Sequence, residues 1–312
     1  MRERQLIADL LAPLATHKAA RGLSDDAAVW PPPLGREVVL THDTIASGVH
    51  YLATDPPSDI AWKLLAVNLS DLAAMGATPA GVLLGVTLGP AEDDDWLRAF
   101  VTGLGRALTH FEVALFGGDT VSWGGAAVLG CTALGHVEHG AALGRGGAHV
   151  GDEVWVSGTI GDAGLGLVVA QGDAASDRYL LNRYRRPDPR LALGRTLVGL
   201  ANAAMDVSDG LLIDAERLAA ASGVAVEIDL GAVPLSPAAR ARAGDGEVAR
   251  LAFATSGDDY ELLFTAPVDA GIAALATAKV PLTRIGRIVS GTGVAVLGAS
   301  GPLTPTRLGY EH

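Results

Sequence analysis

At 312 residues the chain is long for one hydrophobic core, and 49% apolar residues supply enough material for two globular domains rather than disorder. Its formal net charge of −12 leaves no basic footprint for nucleic acid or an anionic membrane. A single cysteine, Cys131, excludes an intrachain disulfide, and the apolar run around it, residues 126–134, marks it as a core side chain.

Residues 1–16 carry Leu6, Ile7, Leu10, Leu11 and Leu14 at helical spacing behind a charged start. This predicts a short amphipathic helix and no secretory signal. Apolar stretches are interrupted well before ~18 residues, so no membrane span is expected. With the lone cysteine, that points to the cytoplasm. Strand patterns follow at residues 38–41, 82–88, 113–116 and 127–134, alternating with helices at 59–75 and 93–109. Glycines over residues 140–151 break the chain into domains of about 1–140 and 150–312. A strand at 153–157 then enters a glycine turn and a helix over 165–170. The spacing differs from Gly-x-Gly-x-x-Gly and reads as close helix-on-strand packing. The polar stretch 171–190, with Arg178, Arg183, Arg185, Arg186 and Arg190, reads as a solvated helix and loop. Helices at 192–200 and 211–221 and strands at 225–229, 261–265, 284–288 and 294–297 complete the second domain. The fold class is α+β or mixed α/β in two domains: an N-terminal domain of sheet plus helices and a C-terminal α/β domain.

Aspartates recur in short glycine- or apolar-rich segments: Asp25-Asp26, Asp43, Asp71, Asp119 after Gly117-Gly118, Asp206 and Asp209 around Val207-Ser208, and Asp258-Asp259 before Tyr260-Glu261. A carboxylate in apolar surroundings is costly unless a cation meets it. Basic residues are scarce near these segments in sequence, so the expected counter-charge is a divalent ion. All-oxygen donors suit Mg²⁺, which commonly binds through a few carboxylates and substrate phosphates. Neither a P-loop, a Gly-x-Ser-x-Gly elbow nor a His-Glu-x-x-His motif is present. The chain therefore reads as a metal-dependent, phosphate-handling enzyme without an obvious covalent nucleophile.

Several of these segments carry two readings. Asn68 and Asp71 are three apart on an apolar helix and share a face; they are a satisfied buried pair, or Asp71 reaches a metal. Ser208 or Asp209 N-caps the helix after it, a role compatible with a phosphate on the same N–H groups. Gly117-Gly118 give the close backbone approach a nucleotide needs, although ordinary turns contain the same pair. His42 and His50 flank Asp43 and are structural or catalytic.

Read together, the segments resemble the thiamine-monophosphate kinase family, in a superfamily with aminoimidazole ribonucleotide synthetase, selenophosphate synthetase and the hydrogenase-maturation dehydratase. The resemblance rests on Asp25-Asp26-Ala27-Ala28-Val29, residues 43–50, residues 66–77 and residues 257–264, and spans nearly the whole chain. It implies several Mg²⁺ ions among Asp26, Thr41, His42, Asp43, Asp71, Asp119, Asp206 and Asp209. It places ATP against Gly118, Asp119, Arg145 and Ser208, and thiamine monophosphate against His50, Asp258 and Tyr310. It further implies direct transfer of the ATP γ-phosphoryl group, an N-terminal domain that binds ATP and metal and pairs in a homodimer, and a C-terminal domain that completes the site. Four positions depart from the family pattern: Ser24 stands for Gly, His42 for Thr, Asp258 for Glu, and Val121-Ser122-Trp123 where an Arg often follows. Selenophosphate synthetase and the hydrogenase enzyme need cysteines that are absent here. An aminoimidazole ribonucleotide synthetase-like ligase and a non-catalytic nucleotide- or cation-binding protein remain as alternatives, separated by whether ATP consumption requires thiamine monophosphate.

Overall fold

The computed structural model describes residues 5–172 and 177–311. The chain divides into two compact units, one of Met1–Leu72 with Ala77–Gly140 and one of Ala73–Gly76 with Ala141–His312.

In the first unit, strands β1 (Arg36–Ala46), β2 (Thr78–Leu88), β3 (Ala114–Ser122) and β4 (Val128–Glu138) form a sheet in the order β1-β4-β2-β3. β4 pairs antiparallel with β1 and β2, and β2 runs parallel to β3. The parallel pair requires a crossover, supplied by helix α2 (Asp94–Phe111). Asp93 caps α2 by accepting the Trp96 N–H, and Glu112 closes it in the left-handed region. Leu97, Phe100, Val101, Leu104 and Leu108 form its buried stripe. Helix α1 (Pro57–Ala74) is apolar nearly all round and correspondingly buried from Ile60 through Ala73, except at Trp62 and Asp71. The helix expected over residues 1–16 appears as a π-helical segment Leu6–Leu11 and a 3₁₀ turn Ala12–Leu14; Pro13, which lacks an N–H, interrupts any longer run. Its first four residues lie outside the described ones.

The second unit is built on a seven-stranded mixed sheet, β11-β10-β7-β9-β5-β8-β6. Its strands are β5 (Glu153–Ser157), β6 (Ala203–Asp206), β7 (Ala225–Asp229), β8 (Leu262–Ala266), β9 (Leu282–Val289), β10 (Gly293–Gly298) and β11 (Gly301–Leu303). Helices α3 (Asp162–Ala170), α4 (Arg178–Arg185), α5 (Leu191–Leu197), α6 (Leu211–Ser222), α7 (Pro237–Ala243) and α8 (Glu247–Ala254) accompany it. Leu211, Leu212, Ala215 and Leu218 of α6 join Val154, Val156, Met205, Val226 and Ile228 of the sheet in one core. Among the described residues, no helix is long and apolar enough to cross a membrane.

Candidate active site

Strand β1 carries Thr41, His42 and Asp43 in succession, and the alternation of an extended chain sends Thr41 and Asp43 to one face and His42 to the other. On the first face, Thr41 Oγ1 donates to Asp71 Oδ2 of α1 at 2.5 Å. Asn68, one helical turn earlier, accepts the Asp43 backbone N–H at 2.8 Å, and its amide donates to Leu64 O at 2.9 Å. The three-residue spacing thus separates two jobs. Asn68 is fully buried and pins helix to strand, while Asp71 stays half-buried beside the Thr41 hydroxyl. Cys131 lies opposite Asp43 in the β1–β4 ladder; burial, with the nearby Asp43 charge adding, pushes its thiol far above the ordinary range. It is a core residue and no nucleophile.

The other face of β1 behaves differently. His42 Nδ1 meets Thr132 Oγ1 at 2.8 Å and its Nε2 meets Thr44 Oγ1 at 3.2 Å. This face lines a cavity of about 730 Å³, apolar along Leu6, Leu11, Trp30 and Phe100 and polar at Asp25, Asp26, His42, Asp119, Thr120 and Thr132. The Arg21 guanidinium hydrogen-bonds Asp25, with the Asp26 N–H assisting, and holds its carboxyl below the usual range. The glycine pair before Asp119 has a local explanation. Gly118 sits mid-strand in β3, where a Cβ would lie 2.1 Å from Leu84 O of β2. What approaches this glycine closely is the neighbouring strand. His50, in the turn four residues after β1, accepts the Ala46 N–H on Nδ1 at 3.1 Å, and its carbonyl takes a 2.9 Å bond from Lys63 Nζ.

In the second unit, Asp206, Ser208, Asp209, Asp258 and Tyr310 are gathered by backbone stitching. Asp258 N donates to Ser208 O at 2.7 Å, Tyr260 N to Val207 O at 2.8 Å, Val207 N to Glu261 O at 2.8 Å and Tyr310 N to Asp209 O at 2.9 Å. Gly257 is needed for this approach, since a Cβ there would lie 2.5 Å from Ser208 O. Arg145 is not part of the stitching: it is exposed, and its carbonyl accepts from Ser222 Oγ at 2.9 Å.

Two expectations from the sequence are corrected here. Neither Ser208 nor Asp209 caps α6: its N-cap is Gly210, without a side-chain cap, and the N–H groups just before the helix are taken from within the chain. Asp214, one turn inside α6, folds back so that its Oδ2 accepts the N–H groups of Ser208, Asp209 and Gly210 at 3.0, 3.1 and 3.3 Å. Burial pushes the Asp214 carboxyl up to about 6, against the pull of Arg217, which donates to it at 2.8 Å and to Asp209 at 2.5 Å. The second correction concerns the arginine-rich stretch, which is not a solvated face. Arg183 and Arg190 are largely buried and enclose Glu261, which has no exposed surface. Arg190 reaches it from Nε at 2.7 Å and Nη2 at 2.5 Å, Arg183 Nη2 at 2.8 Å, and Ser157 Oγ at 2.6 Å. Burial works against ionisation of Glu261, but the two guanidiniums and the Ser157 hydroxyl together keep its carboxyl below the ordinary value. The missed signal was the spacing of Leu180, Arg183 and Tyr184, an i, i+3, i+4 stripe on which Leu180 and Tyr184 are fully buried. The scarcity of cations near these segments is only partial: Arg183 and Arg190, 78 and 71 residues from Glu261, enclose that carboxylate and Arg183 also reaches the Asp259 carbonyl, while Arg217, eight residues on, meets Asp209.

The donor chemistry fits Mg²⁺ in the first unit. Asp26 and Asp119 line one cavity with two threonine hydroxyls, and Asp43 and Asp71 share a face with Thr41, all hard oxygen donors. Among the described residues no three His, Cys, Asp or Glu side chains converge as a ready-made metal cage.

Family models for AIR synthase related proteins match along the chain, the N-terminal domain model over residues 24–137 and the C-terminal over 149–298. The thiamine-monophosphate kinase of Caulobacter vibrioides is 41% identical over 98% of this chain and 89% of its own length. The chain belongs to the thiamine-monophosphate kinase family. The crystal structure of thiamine-monophosphate kinase from Stenotrophomonas maltophilia K279a aligns with a TM-score of 0.80 at 44% identity, covering 88% of this chain and 89% of that one. The structure of AaThiL complexed with AMPPCP and TMP aligns with a TM-score of 0.77 at 30% identity, covering 100% and 99%. Two domains of mixed α/β content are thus the family architecture as well as the one observed.

Proposed function

We propose that this protein transfers the γ-phosphoryl group of ATP directly to thiamine monophosphate, giving thiamine diphosphate, and that it does so in the cytoplasm as a homodimer joined through its N-terminal sheets. The observation that carries the reading is likeness over nearly the full length to curated thiamine-monophosphate kinases, together with a relative complexed with AMPPCP and TMP at once. Two ligands on one relative suit a sequential reaction.

The proposed roles fall on residues of both units. Asp26, Asp43, Asp71 and Asp119, with Thr41 and His42, hold Mg²⁺; Asp206 and Asp209 contribute further carboxylates. Gly118, Asp119, Arg145 and Ser208 contact ATP, and His50, Asp258 and Tyr310 contact thiamine monophosphate. Bound Mg²⁺ would neutralise the phosphate charges whose repulsion otherwise keeps donor and acceptor apart. Thr41, by donating to Asp71, orients that carboxylate. Asn68, by holding the Asp43 N–H, fixes the strand to the helix so that both carboxylates keep their spacing. Positioning of this kind is most of what phosphoryl transfer asks of a protein. A covalent route finds no support: Cys131 is buried with a raised pKa, and the His50 Nδ1 is engaged by backbone.

The test is product analysis with ATP, Mg²⁺ and thiamine monophosphate. Thiamine diphosphate should form only with all three, and γ-labelled ATP alone should leave no label on the protein. ATP turnover without thiamine monophosphate, or ping-pong kinetics, would refute the reading.

A further inference from the structure

Residues 257–261 of the second unit hold a backbone that their side chains resist. Asp258 (φ 70°) and Tyr260 (φ 51°) both occupy the left-handed region, which residues other than glycine generally avoid, aspartate less strictly than tyrosine. Two such residues around a single buried aspartate persist only where the surroundings over-determine the chain. Part of that is backbone pairing, Asp258 N to Ser208 O and Tyr260 N to Val207 O. Part is Asp259, whose side-chain carboxyl accepts the N–H groups of Gly161 at 2.7 Å and Ala163 at 3.3 Å. The rest comes from one guanidinium. Arg183 Nη2 donates to the backbone carbonyl of Asp259 at 3.1 Å and to Glu261 Oε1 at 2.8 Å, so a single nitrogen ties both sides of Tyr260.

The helix that carries Arg183 is itself anchored. Tyr179, one turn before it on α4, donates its hydroxyl to Asp162 Oδ2 at 2.9 Å, and Asp162 also accepts from Thr159 and Ser236, each at 2.5 Å. At the other end, the Tyr260 hydroxyl donates to Asp258 Oδ1 at 3.2 Å. A continuous chain of contacts therefore runs from α4 through Arg183 and Tyr260 to the Asp258 carboxylate. Arg190 secures Glu261 independently, so the fold does not depend on Arg183 for that charge alone.

We propose that Arg183 is the positioning residue for the acceptor substrate: by tying the Asp259 carbonyl to the Glu261 carboxylate it fixes Tyr260, and through Tyr260 the Asp258 carboxylate that meets thiamine monophosphate. This rests on the kinase reading above, which gives Asp258 that role. Arg183 acts through the loop and touches no reacting atom, so its loss weakens recognition of the acceptor and leaves ATP handling alone.

Steady-state kinetics of the full-length protein test this, with each substrate varied at saturation of the other. Arg183→Lys keeps the buried positive charge but is shorter and lacks the planar fork. It should raise the KM for thiamine monophosphate roughly tenfold and leave the KM for ATP within about twofold. In an Asp258→Ala background the same change should add nothing further, because the group it positions is gone. An unchanged KM for thiamine monophosphate, equal rises in both KM values, or full additivity with Asp258→Ala would each overturn the proposal. Should Arg183→Lys not fold, as judged by circular dichroism, Tyr260→Phe removes the last link without disturbing a charge. A rise of roughly threefold in the same KM supports the proposal and no change overturns it. A wild-type protein that turns over no thiamine monophosphate would refute the kinase reading itself, an outcome visible before any variant is made.

Discussion

The acidic residues of the two units solve one physical problem by different means. In the first unit, Asp71 accepts from the neutral Thr41 hydroxyl and Asp26 and Asp119 line an open cavity, with Arg21 meeting their exposed neighbour Asp25. In the second, Arg217 bridges Asp209 and Asp214, while Arg183 and Arg190 enclose Glu261 and Arg183 also reaches the Asp259 carbonyl. A carboxylate removed from water needs a counter-charge, and an arginine, near or distant in sequence, can supply it. The buried acid enclosed by Arg183 and Arg190 belongs to the frame, while Asp26 and Asp119, which line the cavity, are among the residues proposed to meet metal and phosphate.

The largest effect that separates the two groups should come from Asp71→Asn. The amide keeps shape and one acceptor for Thr41 but loses the charge of a proposed metal ligand. Turnover should fall roughly 10³-fold or more, about 4 kcal/mol of transition-state stabilisation, with the thermal midpoint nearly unchanged. Full activity at low Mg²⁺ would place Asp71 with the framework acids instead.

Glu261→Gln should show the reverse pattern. It leaves two buried guanidiniums facing a neutral amide, and breaking one side of a buried ion pair costs about 3 kcal/mol or more. Urea denaturation should report that loss directly, and a stability within 1 kcal/mol of wild type would remove Glu261 from the frame.

How far the sequence disclosed this division depends on where each partner lies. Strands β5 and β7 stand where their apolar patterns end, at residues 153–157 and 225–229, because flanking Gly and Asp residues punctuate them. The apolar pattern of β3 ends at residue 116 because Gly117, Gly118 and Asp119 look like a turn; the parallel pairing with β2, which demands Gly118, is a long-range fact. α7 and α8 are short, rich in alanine and arginine, and carried too little periodicity to be read. At the site, the shared face of Asn68 and Asp71 followed from helical spacing alone. The burial of Arg183 and Arg190 did not, since their partner Glu261 lies 78 and 71 residues away. Asp214 escaped for a subtler reason. A side chain that folds back onto the N–H groups before its own helix competes with any cap or ligand written in the preceding residues.

Asp259 offers a pH-dependent version of the comparison. Burial raises its carboxyl to about 8, opposed by Arg183 and by the Gly161 N–H and reinforced by Asp162. A carboxyl whose folded value exceeds its unfolded one contributes stability that is complete below the unfolded value and is lost as pH rises through the folded value. Between pH 6 and 8 this group should therefore cost the folded state roughly 2 kcal/mol. Glu261, whose value is lowered, is ionised in both states across that range and adds no slope. Denaturation at the two pH values should show the fall in wild type and a clearly smaller one in Asp259→Asn, even if the variant is less stable at both. Equal slopes would mean that Asp259 is ionised throughout.

The smallest expected effect tests the one ion pair that joins a framework acid to a proposed ligand. Arg217 is 37% exposed, so solvent screens its bonds to Asp209 and Asp214, and Arg217→Met should cost only about 1 kcal/mol near neutral pH. The cost should itself depend on pH. Asp214, pushed up to about 6 mainly by burial and held down by Arg217, is mostly ionised above pH 7 and mostly protonated at pH 5. Its contribution to stability is complete below the unfolded value near 3.8 and declines as pH rises through about 6. Removing Arg217 raises that value further, so the variant should lose more than wild type over the rise from pH 5 to 7.5. A stability difference that shrinks at pH 5 shows Arg217 at work on the Asp214 charge. One that is the same at both pH values shows instead that Arg217 matters chiefly through Asp209, which would move that residue from the ligands to the frame.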